Sequence, residues 1–526
     1  MKSVCPQFNL AESQMELNSL ILGRQGGAIL ATISPDQIAF VSAGIFDPED
    51  PRPITSDTQF ETASIVKIFT ALLLAKSERL GKVSRNDPVA KYLFPPSDPD
   101  AAKLAHITLL LLVTHHSGLP REPSRTPVIF DSDRYPFAQC TLEELIGSLR
   151  TDGPGSQPDL AFAYSNFGFS LLGQAISAAW RNSYAEVLRE QVLRPLGLDR
   201  TTVAVTGTSD ANHLAPGHVN GKRIKHWTFD AAAPSCGLRS SARELAGFLR
   251  NCLAEPDGPM HEDLIETMKP LRKTDSGFVG MGWGITGESS NPTYSHSGGI
   301  GGYRSFLGFI PKDHRGVVLL TNTMANVDAL GCSLLGLTIP EPLRPIIANA
   351  GEYAGRYLLS PSFAVRIVEQ SGALYFQAPG QPGGWLKPTT VDRFQLAVPF
   401  TEVSFQRDNG GKIESLIWHQ NGQRYHVFRG ELPRPQEIAL SQGLLEGYVG
   451  QYSLKKGFVI SVGLVGTGLV VQITGQNKAP IFASALDEFF YKVVEARITF
   501  IRKSTGEIAG LVLNQNGREI LADKIS

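Results

Sequence analysis

The chain has 526 residues, of which 42% are hydrophobic and 19% are charged. One compact core does not accommodate that length, so two or three domains are expected. The 49 basic and 50 acidic residues leave a formal net charge of −1, and no basic block stands out. This balance argues against a polyanion-binding surface, so no nucleic-acid partner is expected.

The N-terminal twenty residues contain no continuous apolar stretch, because polar side chains interrupt them from Asn9 to Asn18. A secretory signal is therefore not expected. The apolar run Leu109–Val113 is far shorter than the roughly 20 residues that a membrane-spanning helix needs. These features predict a cytoplasmic chain without a membrane span.

The cysteines are scattered, and none of their spacings resembles a metal-binding knuckle. They are Cys5, Cys140, Cys236, Cys252 and Cys332. An odd number of widely separated cysteines is typical of reduced thiols. The pair His115-His116 could suggest a metal ligand, but a structural role in a loop is favoured. No metal and no cofactor are expected.

The first 340 residues alternate strand-like and helix-like patterns. Gly27–Ala43 predicts a β-hairpin around a Ser-Pro-Asp-Gln turn. Ser64–Lys82, with Gly81 as a stop signal, Tyr164–Trp180 and Ser241–Cys252 predict helices. Gly316–Thr321 predicts a buried strand. This order of elements indicates an α+β domain with helices packed on an antiparallel sheet.

Beyond residue 340 the pattern changes to short β-type runs that contain an internal repeat. Tyr353–Tyr357 (YAGRY) matches Tyr448–Tyr452 (YVGQY), and the numbers differ by 95 (448 minus 353). The same offset superposes Gln377 on Gln472, Phe394 on Phe489, Phe405 on Phe500, Gly411 on Gly506, and Asn421-Gly422 on Asn516-Gly517. Asn-Gly favours a tight hairpin turn. We expect two sister antiparallel domains, each long enough for a small closed barrel.

The predicted domain limits follow from the repeat and from a linker rich in proline. Prolines stand at positions 340, 342 and 345. The expected domains are therefore residues 1–340, 346–436 and 437–526.

Ser64 and Lys67 form an S-x-x-K element at the start of a predicted helix. Residues three apart share a helix face, so the lysine amine can approach the serine hydroxyl. The unpaired amides of a first helical turn favour a developing negative charge there. A lysine in such a site can act as a base when its neutral form is favoured. On its own, such a tetrapeptide is more often an ordinary helix start.

Two further short motifs carry candidate chemistry. Tyr164-Ser165-Asn166 offers a phenol for proton transfer and an amide for a substrate carbonyl or amide. His296-Ser297-Gly298-Gly299 precedes a strand-like stretch, where a strand edge and glycines let a substrate approach the backbone closely. Taken alone, each is more often an ordinary loop or turn.

The order of the three motifs resembles the β-lactamase/penicillin-binding-protein superfamily of serine hydrolases, in the branch that has H-x-G in place of K-T-G. The similarity spans about residues 15 to 335. It extends to the flanking segments Thr114–Leu119, Pro195–Leu198, Gly282–Gly284 and Gly316–Asn322.

The resemblance implies a role for each motif residue. Ser64 is the implied nucleophile, Lys67 its base, and Tyr164 the proton shuttle to the leaving group. His296 replaces the lysine of K-T-G and bonds Tyr164 or orients the substrate.

Substrate-binding roles are implied for Asn166, which holds the amide of the acyl side chain, and for Gly298 and Gly299. The backbone amides of Ser64 and Gly299 would form the oxyanion hole. Because histidine is mostly neutral near pH 7, poor penicillin hydrolysis is expected.

A catalytic domain followed by two lipocalin-like barrels is most similar to the layout of D-aminopeptidases. In that family a loop of the last barrel supplies an acidic residue for the substrate's free amine. The corresponding loop here, Thr474–Pro480, has no carboxylate, and Asp487 and Glu488 lie not far beyond it.

The sequence therefore predicts a serine hydrolase that acts through an acyl-enzyme on a small-molecule or short-peptide substrate. The substrate classes are esters, amides and D-amino-acid-containing peptides, and a homodimer is a possible assembly. One alternative is acyl transfer to an amine, as in a peptide-cyclising thioesterase of the same superfamily. Another is a non-catalytic binding or assembly protein.

Overall fold

The computed structural model describes residues 8 to 525, with gaps. The gaps are residues 36, 124–139, 154–160, 206–212, 220, 255–257, 259, 275, 338–344, 361–362, 379–382, 397–400, 421–422, 431–435, 456–457, 475–477, 492–495, 504 and 516–517. The chain divides into two compact units, Met1–Ile339 and Pro340–Ser526. The domain limits predicted from the sequence stay a prediction.

A nine-stranded antiparallel sheet forms the centre of the first unit. In spatial order its strands are Asp50–Pro53, Ile38–Asp47, Gly27–Ile33, Arg315–Thr321, Tyr303–Ile310, Asn291–Ile300, Gly284–Glu288, Gly277–Val279 and Arg272–Thr274. Smaller sheets join Gln59–Glu61, Leu238–Ser241 and Thr202–Val203, and His218–Val219 with Lys222–Arg223. The predicted α+β fold with an antiparallel sheet is confirmed.

Helices cover both faces of this sheet. They are Leu10–Ile21, Val66–Arg79, Ala90–Leu93, Pro99–Lys103, Leu109–Val113, Leu142–Asp152, Asn166–Trp180, Tyr184–Leu188, Ala233–Cys236, Ala242–Leu253, His261–Met268 and Val327–Leu334. Ala63–Ile65 is a 3₁₀ turn and Arg189–Leu193 a π-helical turn.

The central strand Gly27–Ile33 is buried along its whole length. Side chains alternate between the two faces of a strand. Ile29 packs in one hydrophobic cluster with Phe248, while Leu30 packs in a second cluster with Leu17. Burial on both faces explains why this strand is an unbroken run of apolar and small residues instead of an alternating pattern.

The three predicted helices form, and each begins one or two residues later than predicted. Gly81, in the left-handed region at φ +68°, follows the helix Val66–Arg79 and donates to the Glu78 carbonyl, as a C-terminal stop does. Ser165 and Ser241 are N-caps, and each accepts the backbone N–H three residues later. Tyr164 therefore lies before its helix, because the cap residue needs an extended backbone.

The second unit contains two antiparallel sheets. The first has nine strands in the order Gly384–Trp385, Ala373–Gln377, Phe363–Gln370, Gly355–Ser360, Gln423–Arg429, Ile413–Gln420, Thr401–Arg407, Arg393–Leu396 and Lys387–Thr390. The second is a closed barrel of Gly450–Lys455, Phe458–Val465, Gly468–Ile473, Ala479–Ala485, Glu488–Tyr491, Ala496–Arg502, Ile508–Gln515 and Arg518–Lys524. Short helices Ala350–Tyr353 and Gln442–Glu446 precede the two sheets.

The first of these sheets is nearly closed, whereas the sequence predicts a closed barrel in both. Its edge strands have two and four residues. One edge carries Pro388, which has no N–H to donate to a neighbouring strand. A short edge strand with a proline thus limits pairing across this edge.

The 95-residue repeat extends to side-chain contacts. In the closed barrel, Asp487 accepts hydrogen bonds from Tyr448 at 2.8 Å and from Arg502 at 2.6 and 2.9 Å. In the sister sheet, Asp392 accepts from Tyr353 at 2.8 Å and from Arg407 at 2.8 and 2.9 Å. Each residue of the first network is 95 positions after its counterpart in the second. The strands Thr401–Arg407 and Ala496–Arg502 are offset by the same number. The Asn-Gly turns at 421–422 and 516–517 lie outside the described residues.

Asp487 is therefore held by its own barrel. Its two carboxylate oxygens contact Tyr448 and Arg502, so the structure does not present it as the free acid that could receive a substrate amine. Of the loop Thr474–Pro480, residues 475–477 lie outside the described residues, and Ala479 begins a strand.

Within the described part of the chain, no helix is both long and apolar enough to span a membrane. Within the described residues, Cys140, Cys236, Cys252 and Cys332 form no disulfide. The expected cytoplasmic location stays a prediction.

Asp487→Ala and Asp392→Ala test the repeated networks, each serving as the control for the other. Removing a carboxylate leaves its arginine and tyrosine without the acceptor, at a cost of about 2 kcal/mol in local stability. Hydrogen exchange measured peptide by peptide should rise in strands 450–524 for Asp487→Ala and in strands 355–429 for Asp392→Ala. Unchanged exchange in both variants would contradict a stabilising role.

Candidate active site

Ser64 lies in a tight turn that leads directly into the helix Val66–Arg79. The preceding residue, Ala63, has φ +50°, a left-handed conformation that costs a non-glycine residue roughly 1 kcal/mol. Thr62 holds the turn, since its N–H donates to the Leu238 carbonyl at 2.8 Å and its carbonyl accepts from the Ser305 hydroxyl at 2.8 Å. The serine is thus fixed on a strained but anchored backbone.

Lys67 is fully buried and donates to three oxygen atoms. Its Nζ is 3.0 Å from Ser64 Oγ, 2.7 Å from Asn166 Oδ1 and 2.5 Å from the Ser235 carbonyl oxygen. Three acceptors match the three N–H bonds of an ammonium group, and these hydrogen bonds offset the cost of removing the charged group from water. The acceptors come from three separate segments of the chain.

Asn166 joins Lys67 to a buried acid. Its Oδ1 accepts from Lys67, and its Nδ2 donates to Glu122 Oε1 at 2.6 Å. The expectation that Asn166 holds the substrate's amide stays a prediction, because both polar atoms of the side chain already contact protein groups. Burial raises the pKa of the Glu122 carboxyl to about 7, although Arg121, Asn166 and Lys67 each lower it.

Tyr164 lies among four basic side chains. Lys67 Nζ and the Arg121 guanidinium carbon are each 5.0 Å from the centre of its ring. The His115 ring stacks on it at 4.4 Å, and the His296 ring centre is 6.4 Å away. Cations over an aromatic face are attracted by its electron density. The predicted bond between Tyr164 and His296 stays a prediction.

His115 positions the segment that contains Tyr164. Its Nδ1 accepts the N–H of Ser165 at 3.0 Å, and its carbonyl accepts the N–H of Ala163 at 2.8 Å. Burial and the nearby Lys67 lower the pKa of His115 well below its ordinary value, which keeps Nδ1 available as an acceptor. This contact gives the His115-His116 pair the structural role that its sequence context favours.

His296 lies inside a strand, Asn291–Ile300, and not in the loop before one. Burial and Lys67 lower the pKa of His296 to about 4. Its Nδ1 is 2.7 Å from the Ser297 carbonyl oxygen, which can only accept, so Nδ1 carries the proton and Nε2 is left as an acceptor. Pairing with the strand Gly284–Glu288 ends at Ser295, so His296 begins a stretch that this neighbour does not cover.

Gly298 lets this strand pack against the serine turn. A Cβ at Gly298 would be 2.3 Å from the Thr62 carbonyl oxygen and 2.2 Å from Ser305 Oγ. The contact with the turn therefore requires a glycine here, and the expected substrate-binding role of Gly298 stays a prediction. Gly299 is exposed, and a Cβ there would meet the Arg304 guanidinium. Its part in an oxyanion hole stays a prediction.

The structure brings Ser64, Lys67 and Asn166 into one set of direct contacts, with Tyr164 and His296 beside it. Sequence reasoning missed other residues that hold this set: Glu122, Arg121 and the Ser235 carbonyl. The signal for Arg121 and Glu122 is their place two and three residues after the flanking segment Thr114–Leu119. In the part of the chain that the structure describes, no cluster of three His, Cys, Asp or Glu side chains could hold a metal.

Comparison with known proteins identifies two matching families. The family model described as Beta-lactamase matches residues 13–335, and a domain of unknown function, DUF3471, matches residues 434–523. Penicillin-binding protein 4* of Bacillus subtilis is 24% identical over 438 residues, which cover 77% of this chain and 94% of that protein. D-alanyl-D-alanine-carboxypeptidase/endopeptidase AmpH of Escherichia coli is 26% identical and covers 56% of this chain and 78% of that protein.

The fold also resembles solved structures. The octameric penicillin-binding protein homologue from Pyrococcus abyssi superposes with a TM-score of 0.55 at 23% identity, over 80% of this chain and all of that one (100%). At that identity the likeness concerns the fold alone, and the expected homodimer stays a prediction.

Gly298→Ala tests the close packing of the strand on the serine turn. The new methyl group overlaps backbone, so we expect a loss of about 1–3 kcal/mol in the free energy of unfolding. The matched control is Gly247→Ala, in the helix Ala242–Leu253, where a Cβ meets nothing within 4 Å. That change should stabilise by up to about 1 kcal/mol. Urea unfolding followed by tryptophan fluorescence measures both, and equal effects would contradict the packing role.

Proposed function

The chain belongs to the beta-lactamase family, and on that basis we propose that it is a serine hydrolase that forms an acyl-enzyme on Ser64. One observation carries the proposal: the amine of the fully buried Lys67 lies 3.0 Å from the hydroxyl of Ser64. A serine becomes a strong nucleophile when a base within hydrogen-bond reach accepts its proton.

The first half-reaction transfers the acyl group. Once its ammonium group has released one proton, Lys67 takes the Ser64 proton as Oγ attacks the acyl carbon, while Asn166 and the Ser235 carbonyl hold the amine in place. The amides of Ser64 and Gly299 receive the negative charge of the tetrahedral intermediate. The bond to the leaving group then breaks, and Tyr164 returns a proton to that group.

The second half-reaction releases the product. Water attacks the acyl carbon of the Ser64 ester and gives a proton to the Tyr164 oxygen, the carbon–Oγ bond breaks, and Lys67 returns its proton to Oγ. This step yields a carboxylic acid and regenerates the serine hydroxyl. The net reaction is hydrolysis of one ester or amide bond.

We assign the substrates to esters, amides and D-amino-acid-containing peptides. The strand residues from His296 to Ile300 extend past the pairing with Gly284–Glu288. An extended peptide binds such a strand edge through main-chain hydrogen bonds. The names of the relatives from Bacillus and Escherichia coli describe penicillin-binding and D-alanyl-D-alanine-cleaving proteins, which supports this class.

Penicillins should be poor substrates. Lactamases of the K-T-G type place a lysine cation where this chain has His296. Because the pKa of His296 is lowered to about 4, the ring is neutral at pH 7 and provides no positive charge for the carboxylate of the antibiotic.

Ser64→Ala tests the proposal on p-nitrophenyl esters, D- and L-aminoacyl amides, and nitrocefin. We expect turnover of an ester or a D-aminoacyl amide, little turnover of nitrocefin, and a loss of at least roughly 1,000-fold in Ser64→Ala because the covalent step is removed. A fluorophosphonate should label Ser64 in the wild type. Ser290→Ala, at an exposed turn, is the control and should keep wild-type rates. Substantial activity in pure Ser64→Ala would contradict the assignment.

A further inference from the structure

Glu122 is a buried carboxyl group within the contacts that hold Lys67. Its side chain is 11% exposed, and Oε1 accepts from Asn166 Nδ2 at 2.6 Å. A continuous chain of contacts thus runs from Glu122 through Asn166 and Lys67 to Ser64. The reaction scheme gives Glu122 no task.

The charged groups that face Glu122 come from two elements of the described chain. Arg121, the preceding residue, has its Nε 3.7 Å from Glu122 Oε1, and Lys67 acts on it from the helix Val66–Arg79. The helix Asn166–Trp180 contributes the neutral Asn166. A small cavity beside the carboxyl is lined by Pro123, Cys140, Leu145, Ser170, Ala232 and Ser235. Among the described residues, the surroundings therefore supply two positive charges and mostly apolar or neutral walls.

The charge of Glu122 decides which way the Asn166 amide faces. An ionised carboxylate only accepts hydrogen bonds, so it selects Nδ2 and turns Oδ1 toward Lys67. A protonated carboxyl keeps one accepting oxygen but can also donate, and when it donates to Oδ1 it turns Nδ2 toward Lys67. In that orientation the N–H groups of Asn166 would face those of the lysine, and Lys67 would lose one of its three acceptors.

We propose that Glu122 is a positioning residue, whose negative charge orients the Asn166 amide toward Lys67 and whose neutralisation at acid pH disorganises the site. The effect on turnover rests on the proposed serine hydrolase function. The effect on stability does not, so the two can be tested separately.

The burial of Glu122 sets the pH range over which turnover is expected to change. Burial raises the pKa of Glu122 to about 7, against the lowering effects of Arg121, Asn166 and Lys67. The pKa of His296 is about 4, and that of His115 lies well below its ordinary value. Neither histidine therefore accounts for a loss of activity near neutrality. Turnover should fall as the pH decreases through about 7.

The raised pKa of Glu122 also predicts how the stability of the folded chain changes with pH. The folded chain holds the Glu122 proton more tightly than an unfolded chain does, because the pKa is raised from 4.5 to about 7. The contribution of Glu122 to the free energy of unfolding is fully present below pH 4.5 and is lost as the pH rises through about 7. The ionised Glu122 thus supports the site while it lowers stability.

Glu122→Gln separates charge from shape. Glutamine does not ionise and, like a protonated carboxyl, can either accept from Asn166 Nδ2 or donate to Oδ1. We expect kcat of Glu122→Gln at pH 8 to fall toward the value that the wild type shows at acid pH, with the acid limb near pH 7 lost and KM little changed. Glu122→Ala removes the acceptor and should lower kcat by about tenfold or more at every pH. Glu262→Gln, on the exposed side of the helix His261–Met268, is the control and should keep the wild-type profile.

Thermal unfolding gives the second readout. Relative to wild type, Glu122→Gln should gain in Tm as the pH is raised from 5 to 8. An acid limb that is the same in Glu122→Gln and wild type would overturn the proposal, as would a wild-type kcat in Glu122→Ala or a Tm difference that does not change with pH. Absence of turnover and of Ser64 labelling in the wild type would instead refute the hydrolase function, and the Tm series would still test the ionisation of Glu122.

Discussion

The candidate site depends on the burial of one amine. Lys67 has no exposed surface, and a buried ammonium group without partners is costly enough to destabilise a fold by several kcal/mol. Its three acceptors come from the serine turn, from Asn166 and from the Ser235 carbonyl. These three segments must therefore meet at one point for the domain to fold. The same requirement brings the lysine within reach of the serine hydroxyl.

A second set of contacts holds the acceptors themselves. The segment from His115 to Glu122 surrounds the start of the helix Asn166–Trp180. The Pro120 carbonyl accepts from the Ser165 hydroxyl at 2.7 Å, and the Arg121 carbonyl accepts the N–H of Asn166 at 2.9 Å. Side chains placed by supporting hydrogen bonds keep the narrow geometry that acyl transfer needs. One short segment thus fixes Tyr164 and Asn166 together.

The sequence predicts those features that depend on local chemistry. The hairpin, the capped helices, the stop at Gly81 and the 95-residue repeat all follow from periodicity, capping residues and turn residues. The family resemblance, which spans about residues 15 to 335, is confirmed by the match over residues 13–335.

Features that depend on tertiary contacts were not predictable from the chain alone. Glu122 is next to Arg121 in the sequence, and only the fold places it against Asn166 and away from water. The close packing of Gly298 against Thr62 also appears only once the strand and the serine turn are in place. Asp487 looks free in the sequence, whereas Arg502 and Tyr448, which bind it, lie 15 and 39 residues away. In each case a partner distant in sequence decides the role.

The central claim is that Ser64 becomes acylated during turnover. Rapid-quench mass spectrometry with p-nitrophenyl acetate tests it directly. The account predicts one acetyl group on the peptide that contains Ser64, formed as fast as the burst of p-nitrophenol and lost at the rate of steady turnover. Turnover without this adduct, or an adduct on another residue that forms and decays at those rates, would contradict it.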